Sequence, residues 1–395
     1  MRTIGVVTGA RADYGICASL LERIDADATL NLHVLVTGMH LSPEFGMTVR
    51  WIEQDGYRIS DKIEMLLSSD RPVGTAKSVG LGIIGFAQSF SRFRPDILVV
   101  IGDRFEMYAA VVAALPFGIP VAHLHGGEVT VGAIDDALRH SLTKLSHLHF
   151  VSTKAYAQRV IQMGEEPWRV SVCGAPSLDN LGRIALLPRE ELEKRFGLCL
   201  EEAPLLVTYH PVTLEYKHTE EQVNELLAAL HEWGMPVVFT MPNADTSGRL
   251  IARMIRDFVE QHPSAGVVDN LGTEGYFGMM AVAAAMVGNS SSGIIEAASF
   301  KLPVVNIGTR QTGRVRPANV VDVGYDRIEI LTGLRTVSDP GFRSGMEHLK
   351  NPYHVGNASE IIATRLKTVP LDQRLLMKRF FDLDGISTLA VEEVP

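Results

Sequence analysis

The chain has 395 residues, 46% hydrophobic and 21% charged, which suits two buried cores and excludes a disordered or fibrous protein. A net charge of −9 with no Lys/Arg-rich run excludes a nucleic-acid-binding face, so an anionic partner must be met by local arginines and backbone N–H groups. The three cysteines, Cys17, Cys173 and Cys199, form no C-x-x-C pair, which speaks against a disulfide framework and for a reducing, cytoplasmic setting.

The first residues, from Met1 to Val7, carry no signal-peptide pattern. Strands are expected at 3–8, 32–37, 97–101, 119–124 and 147–152, with helices at 14–24, 75–93, 105–115 and 135–145. Continuous apolar strands separated by helices specify an α/β fold with a parallel sheet covered on both faces. The longest uncharged stretch, 107–124, is cut by Pro116, Gly118 and Pro120 into helix, turn and strand, so it is no membrane span.

The alternation breaks near Gly174, and residues 181–202 read as a connection between domains. A second series follows, with strands expected at 205–209, 236–240, 265–268, 285–287 and 303–307. Its helices are expected at 219–233, 247–262, 276–284 and 293–300, and beyond Tyr325 the pattern is mostly helical. The expected domains are 1–176 and 177–367. Two doubly wound domains in tandem place a ligand between them, outside the carboxyl ends of the strands.

Those strand ends carry the candidate chemistry. After the first strand, Gly9 permits a tight turn, Arg11 offers a planar fork to a phosphate, and Asp13 suits a helix N-cap. The bland alternative is an ordinary turn with a solvated arginine. The strand at 97–101 runs into Gly102-Asp103-Arg104, opposite charges beside a cleft, or else a cap at Asp103 and a surface Arg104. Next comes His123-Leu124-His125-Gly126-Gly127-Glu128. Histidines two apart in a strand share a face and could meet zinc, yet no further ligands complete a site. A Gly-Gly turn that admits a ligand, flanked by proton-moving groups, is the better reading. Asp135-Asp136 opens a helix with Asp136 facing Arg139 and His140, either for chemistry or as a solvated start.

In the second half, His210 precedes Pro211 at a strand end, and Asn243 lies just after the next strand. The strongest local signal is Gly288-Asn289-Ser290-Ser291-Ser292-Gly293 opening a helix, where N–H groups, dipole and hydroxyls converge on an anion. Glu296 could accept from ribose hydroxyls. Arg310 and Arg314 end the following strand. Together these favour a nucleoside diphosphate bound mainly by the second domain.

In this order, over nearly the whole chain, the motifs resemble the hydrolysing UDP-N-acetylglucosamine 2-epimerases of the bacterial sialic-acid pathway. The resemblance rests on the turn from Arg11 to Gly15, Thr37-Gly38-Met39-His40, Gly102-Asp103-Arg104, the run from His123 to Glu128, and Asp135-Asp136 with Arg139-His140. It rests equally on His210-Pro211, Pro242-Asn243-Ala244-Asp245, Gly288 to Gly293 with Glu296, and Arg310-Gln311 with Gly313-Arg314. It implies a GT-B architecture, two Rossmann-like domains with the active site in the cleft, and a C-terminal helix at about 368–395 packing back on the first domain. It implies a nucleotide held by Ser290 and Ser291 at the phosphates, Glu296 at the ribose, and Arg11, Arg104, Asn243 and Arg310, with Tyr276 or Phe277 near the base. It implies Asp103 and Glu128 as acid/base groups, His125 and Asp135 as alternates, and His210 on the leaving phosphate. A homodimer or homotetramer is implied as well.

One departure stands out: related epimerases carry Glu where this chain has His125. A neighbouring branch with the same motifs acts on nucleotide-activated diacetamido-trideoxyhexoses. The expected reaction turns UDP-N-acetylglucosamine and water into N-acetylmannosamine and UDP, by anti elimination to a 2-acetamidoglucal and then hydration. No oxidation state changes overall, so no cofactor is called for, while a divalent ion on the diphosphate stays open. A glycosyltransferase of the same fold would not exchange the C2 proton. A non-catalytic sugar-nucleotide sensor would have no use for Asp103 and Glu128.

Overall fold

The structure is a computed structural model, and residues 1–67, 69, 71–242 and 247–383 are described. The first sheet contains β1 (Arg2–Thr8), β2 (Leu30–Thr37), β3 (Ile59–Ile63), β4 (Ile97–Ile101), β5 (Val121–Leu124), β6 (Leu148–Val151) and β7 (Val170–Val172). All pair in parallel, in the order β3-β2-β1-β4-β5-β6-β7. Every residue of β4 and β5 is buried, which is why these strands read as unbroken apolar runs.

The second sheet contains β8 (Leu205–Thr208), β9 (Val237–Thr240), β10 (Ala265–Val268), β11 (Ala285–Gly288), β12 (Val304–Ile307) and β13 (Val320–Val323), in the order β10-β9-β8-β11-β12-β13. The strand order reverses at β1/β4 in one sheet and at β8/β11 in the other. Ligands of open α/β sheets bind outside the carboxyl ends at such points. The residues after β1, β4, β8 and β11 are therefore the walls of the cleft.

Three strands lie outside the sequence expectation: β3, β7 and β13. All are sheet edges, and none carries a buried apolar run: β3 is Ile-Ser-Asp-Lys-Ile, β7 has three half-buried residues, and β13, Val-Val-Asp-Val, is interrupted by an exposed Asp322.

The two domains are tied at both flanks of the cleft. On the β6 side, Val151, Tyr156 and Val160 share one apolar cluster with Ile294, Ile295 and Tyr353. On the β2 side, Arg249 donates Nε and Nη2 to the two carboxylate oxygens of Glu44, each at 2.8 Å. The chain also returns to the first domain near its end. The helix Ala358–Thr368 buries Ala358, Ile362 and Leu366 in the core built by β1, β2 and β4, and Asp179 accepts from Ala358 N (3.0 Å) and Ser359 N (2.6 Å) at its start. This return begins ahead of the expected 368, and the stretch 384–395 lies outside the described residues. No helix among the described residues is long and apolar enough to cross a membrane.

Candidate active site

The turn after β1 is capped differently from the expectation. Ala10 is the N-cap, and Asp13, three residues in, reaches back so that Oδ2 accepts from Gly9 N (3.2 Å) and Ala10 N (3.0 Å). Burial pushes the Asp13 carboxyl up to about 7. Arg11 stands beside it at the cleft; burial lowers its pKa, and the charge of Asp269 from the second domain opposes that. Arg104 is no surface residue: it is 8% exposed and clamps Glu106 at 3.0 and 3.2 Å. It is also Arg104, and not Asp103, that takes the N-cap position of the following helix.

The loop after β5 holds the densest polar network. His123 lies within the strand and is spent on Gly102 O (2.7 Å) and Thr143 Oγ1 (3.3 Å). Burial lowers its pKa to about 3. His125 sits past the strand end with φ of 62°, so the two rings do not share a face as a regular strand would have them. Its Nδ1 lies 2.7 Å from Glu128 Oε1, and its buried Nε2 has no partner among the described residues. Gly127 has φ of 74°, and a Cβ there would stand 2.5 Å from Tyr156 O, so only glycine fits the turn.

Glu128 is 1% exposed. Its Oε1 also accepts from Ser152 Oγ (2.8 Å), while Oε2 faces Arg314 Nη1 at 2.9 Å and Arg139 Nη1 at 3.7 Å. Burial alone would raise its pKa, but Arg314, His125 and Arg139 outweigh it and hold the carboxyl well below the usual range. The same balance lowers Asp103: burial is overcome by Arg139, Arg314 and Arg310. Asp103 pairs closely with Arg139 and accepts from Thr130 Oγ1 at 3.2 Å. Both carboxylates are thus ionised at neutral pH.

Arg139 organises this wall. It is 2% exposed and turns inward, donating to His125 O (3.0 Å) and Thr130 Oγ1 (3.0 Å) as well as pairing with Asp103. Asp136, expected to face it, instead closes the turn by accepting from Thr130 N at 2.8 Å and stands 3.7 Å from His140. Asp135 sits half-buried at the same helix start. Among the described residues, no group of three His, Cys, Asp or Glu side chains could hold a metal ion.

The opposite wall comes from the second domain. Asn289 locks the backbone of His210 from both sides, accepting from His210 N (2.7 Å) and donating to His210 O (2.8 Å). Burial lowers the His210 pKa to about 3, with Arg310 and Arg104 adding to the effect, so this ring is a neutral imidazole at pH 7. Arg310 Nη1 (3.2 Å) and Gln311 Nε2 (2.8 Å) both donate to Asn289 O. Ser290 Oγ accepts from Ser292 N at 3.3 Å. Ser291 is the N-cap of the turn that follows.

The helix expected over 293–300 is shorter than its sequence suggests. It covers only Ser292–Ile295, and a 3-10 turn, Ala297–Phe300, follows after a break at Glu296. One turn has little macrodipole, so hydroxyls and N–H groups carry any anion affinity here. Glu296 Oε1 accepts from Ser177 Oγ, in the 3-10 turn Pro176–Gly182, at 2.5 Å, and burial pushes its pKa up to about 7. Tyr276 lies near Ser290, Ser292 and Thr208, and burial pushes its phenol up to about 12. Phe277 is corrected: it is 3% exposed and packs on Phe300 at 5.5 Å in the domain core, because adjacent helical residues point about 100° apart. Asn243 lies outside the described residues.

The structure thus gathers Asp103, His125 and Glu128 into one network and sets Tyr276 and Glu296 near the serine run, with His210 and Arg310 meeting at Asn289. Arg314 joins the walls: besides Glu128, it donates Nε to Val129 O at 2.8 Å. Ser152 and Ser177 have no sequence signal. Arg139 and Arg314 stand in the motifs, but their inward roles are visible only in the fold.

A sequence profile of the family described as UDP-N-acetylglucosamine 2-epimerase matches residues 22–367. A GDP/UDP-N,N'-diacetylbacillosamine 2-epimerase (hydrolyzing) of Campylobacter jejuni is 39% identical, covering 97% of this chain and 99% of its own. A UDP-N,N'-diacetylbacillosamine 2-epimerase (hydrolyzing) of Legionella pneumophila is 38% identical, covering 96% and 99%. The crystal structure of a UDP-GlcNAc 2-epimerase from Neisseria meningitidis bound to UDP-GlcNAc superposes with a TM-score of 0.77 over 93% of this chain and 99% of that one. At 19% identity this last likeness concerns the fold, which is GT-B.

Proposed function

The chain belongs to the UDP-N-acetylglucosamine 2-epimerase family, and from that premise we propose that it is a hydrolysing 2-epimerase of a nucleotide-linked 2,4-diacetamido-2,4,6-trideoxyhexose. The sequence alone favoured UDP-N-acetylglucosamine as substrate. Identities of 39% and 38%, over nearly full length, to proteins named for diacetylbacillosamine favour the neighbouring branch instead. The observation that carries the chemistry is the meeting of two half-sites on one cleft, a carboxylate–imidazole–guanidinium wall facing a hydroxyl-rich one.

The C2–H of the sugar is a poor acid, since no adjacent carbonyl stabilises a carbanion. It can be removed only as the C1–O bond to the diphosphate breaks. Anti elimination then gives a glycal, and water adds with a new proton on the opposite face of C2. In this reading Ser290, Ser291 and Arg310, with Arg11 and Arg104 on the facing wall, stabilise the growing diphosphate charge. Losing one such donor raises the barrier by about 3–4 kcal/mol. Glu296 accepts from the ribose, Tyr276 borders the base, and neutral His210 hydrogen-bonds the leaving oxygen. Proton transfer falls to the wall of Asp103, His125, Glu128 and Asp135, worth about 10²–10⁴-fold. The reaction is redox-neutral and calls for no nicotinamide.

Proton and phosphorus NMR in D₂O tests the proposal. The nucleotide-linked diacetamido sugar is expected to yield free nucleotide and a 2-epimeric sugar deuterated at C2, faster than UDP-N-acetylglucosamine does. Turnover of UDP-N-acetylglucosamine alone would overturn the substrate and keep the mechanism. With both substrates intact, a glycosyltransferase or a sensor replaces the enzyme.

A further inference from the structure

We infer that His125 Nε2 is the base that removes the C2 proton, and that Glu128 is a positioning residue acting through it. The inference deepens the epimerase reading and rests on it.

Four observations carry it. First, Glu128 is an ionised acceptor 2.7 Å from Nδ1, so Nδ1 bears the hydrogen and the neutral ring carries its lone pair on Nε2. Second, that Nε2 is buried, on a residue 7% exposed, and no described residue satisfies it, whereas His123 is spent at both nitrogens. Third, the backbone of His125 is held in the left-handed region, with His125 N donating to Phe150 O (2.9 Å) and Arg139 donating to His125 O (3.0 Å). Such strain persists where the surroundings over-determine it, and it clusters at working sites. Fourth, Glu128 Oε1 already takes His125 and Ser152 while Oε2 faces Arg314, so this carboxylate is committed to side chains of the protein.

The charged groups facing His125 come from several elements. Glu128 lies on its own loop, Arg139 on the helix Ile134–Leu145, Asp103 after β4, and Arg314 and Glu296 on the second domain. In the step, Nε2 takes the C2 proton and becomes imidazolium. The C2–H electron pair forms the C1=C2 bond, and the C1–O pair leaves with the diphosphate. Hydration then adds the hydroxyl of water at C1 and a proton at C2 from the opposite face, and the imidazolium returns its proton to solvent.

The test uses the full chain and whichever sugar nucleotide it turns over. His125→Gln is expected to lower kcat/KM at least 100-fold while UDP affinity, read by calorimetry, stays within threefold. Glu128→Gln, which removes the anion that holds the hydrogen on Nδ1, is expected to lower kcat at least tenfold with KM within threefold, because the ring is then free to turn or to change tautomer. Glu128→Asp, which keeps the anion but withdraws it, serves if the amide variant does not fold; a smaller loss of kcat at the same KM is expected. Nitrogen-15 NMR of the histidines reads the tautomer directly, with Nδ1–H expected. His125→Gln turnover within tenfold of wild type, kcat unmoved in both Glu128 variants, or an Nε2–H tautomer overturns the inference. If the wild-type protein turns over no sugar nucleotide, the epimerase reading falls on its own account, and the tautomer still decides whether His125 is poised as a base.

Discussion

Arg314 of the second domain stands 2.9 Å from Glu128 Oε2 of the first, and both side chains are buried. The same guanidinium donates to Val129 O, and the next residue, Val315, donates its N–H to Tyr156 OH at 2.9 Å. Tyr156 belongs to the apolar cluster that both domains share. The strap carrying Arg314 is therefore anchored on that flank, and it holds the Glu128 wall of the first domain from the second.

Arg314→Met is expected to destabilise the protein by about 3–5 kcal/mol, because it strips the buried Glu128 carboxylate of its nearest guanidinium. Arg314→Lys keeps the charge but loses the fork, and should cost less. Pairing Arg314→Met with Glu128→Gln removes both charges and should recover part of the loss. Urea unfolding of the four proteins measures the coupling, and strict additivity would show that the two side chains do not depend on each other.

The lowered pKa values of Glu128 and Asp103 set the acid limit. Both folded values lie below the ordinary 4.5 and 3.8, so their stabilisation is complete above those values and is lost as pH falls through the folded ones. The urea midpoint should drop steeply from about pH 5 downward, and less steeply in Arg314→Met, whose Glu128 has lost its main cation. Equal slopes in both proteins would contradict the assignment.

Glu296 works in the other sense. Burial raises its pKa to about 7, and the carboxylate accepts hydrogen bonds from ribose hydroxyls more strongly than the protonated acid does. UDP binding should therefore tighten as pH rises through about 7 and release a proton, seen by calorimetry in buffers of different ionisation enthalpy. A diphosphate titrates nearby, so Glu296→Gln is the control: the part of the pH dependence it removes belongs to Glu296. If it removes none, the residue does not meet the ribose.

What the sequence made legible follows from how each feature is determined. β4 and β5 and the helix Thr219–Trp233 are set by local pattern, continuous burial or one apolar face, and their bounds matched or lay within two residues of the reading. Edge strands β3, β7 and β13 lack such a pattern. The placement of Asp103, His125, His210 and Ser290 at the cleft was legible because parallel sheets put strand ends there. Their partners were not. Sequence spacing offers Asp136 to Arg139, yet Arg139 turns to Asp103, 36 positions away, a choice made by packing. The same limit left Tyr276 and Phe277 undivided: which one faces the serines depends on helix rotation against the core.

The closest approach of the two central strands of the second domain supplies a last prediction. Gly288 has φ of 130°, pairs with Thr208 across β8 and β11, and a Cβ there would stand 2.0 Å from Thr208 O. No side chain can move aside, because the obstacle is backbone, so Gly288→Ala must push β11 from β8. We expect a loss of about 3 kcal/mol, the upper range for backbone strain. That displacement also separates His210, after β8, from Asn289 and Ser290, after β11, whose hydrogen bonds at 2.7 and 2.8 Å hold the nucleotide wall. UDP affinity should therefore fall at least tenfold, even at temperatures where the variant remains folded. Gly182→Ala is the control: no atom lies within 4 Å of its added Cβ, and neither stability nor UDP affinity should change. If Gly288→Ala unfolds more easily but binds UDP as the parent does, the wall tolerates the strand shift and the nucleotide is held elsewhere.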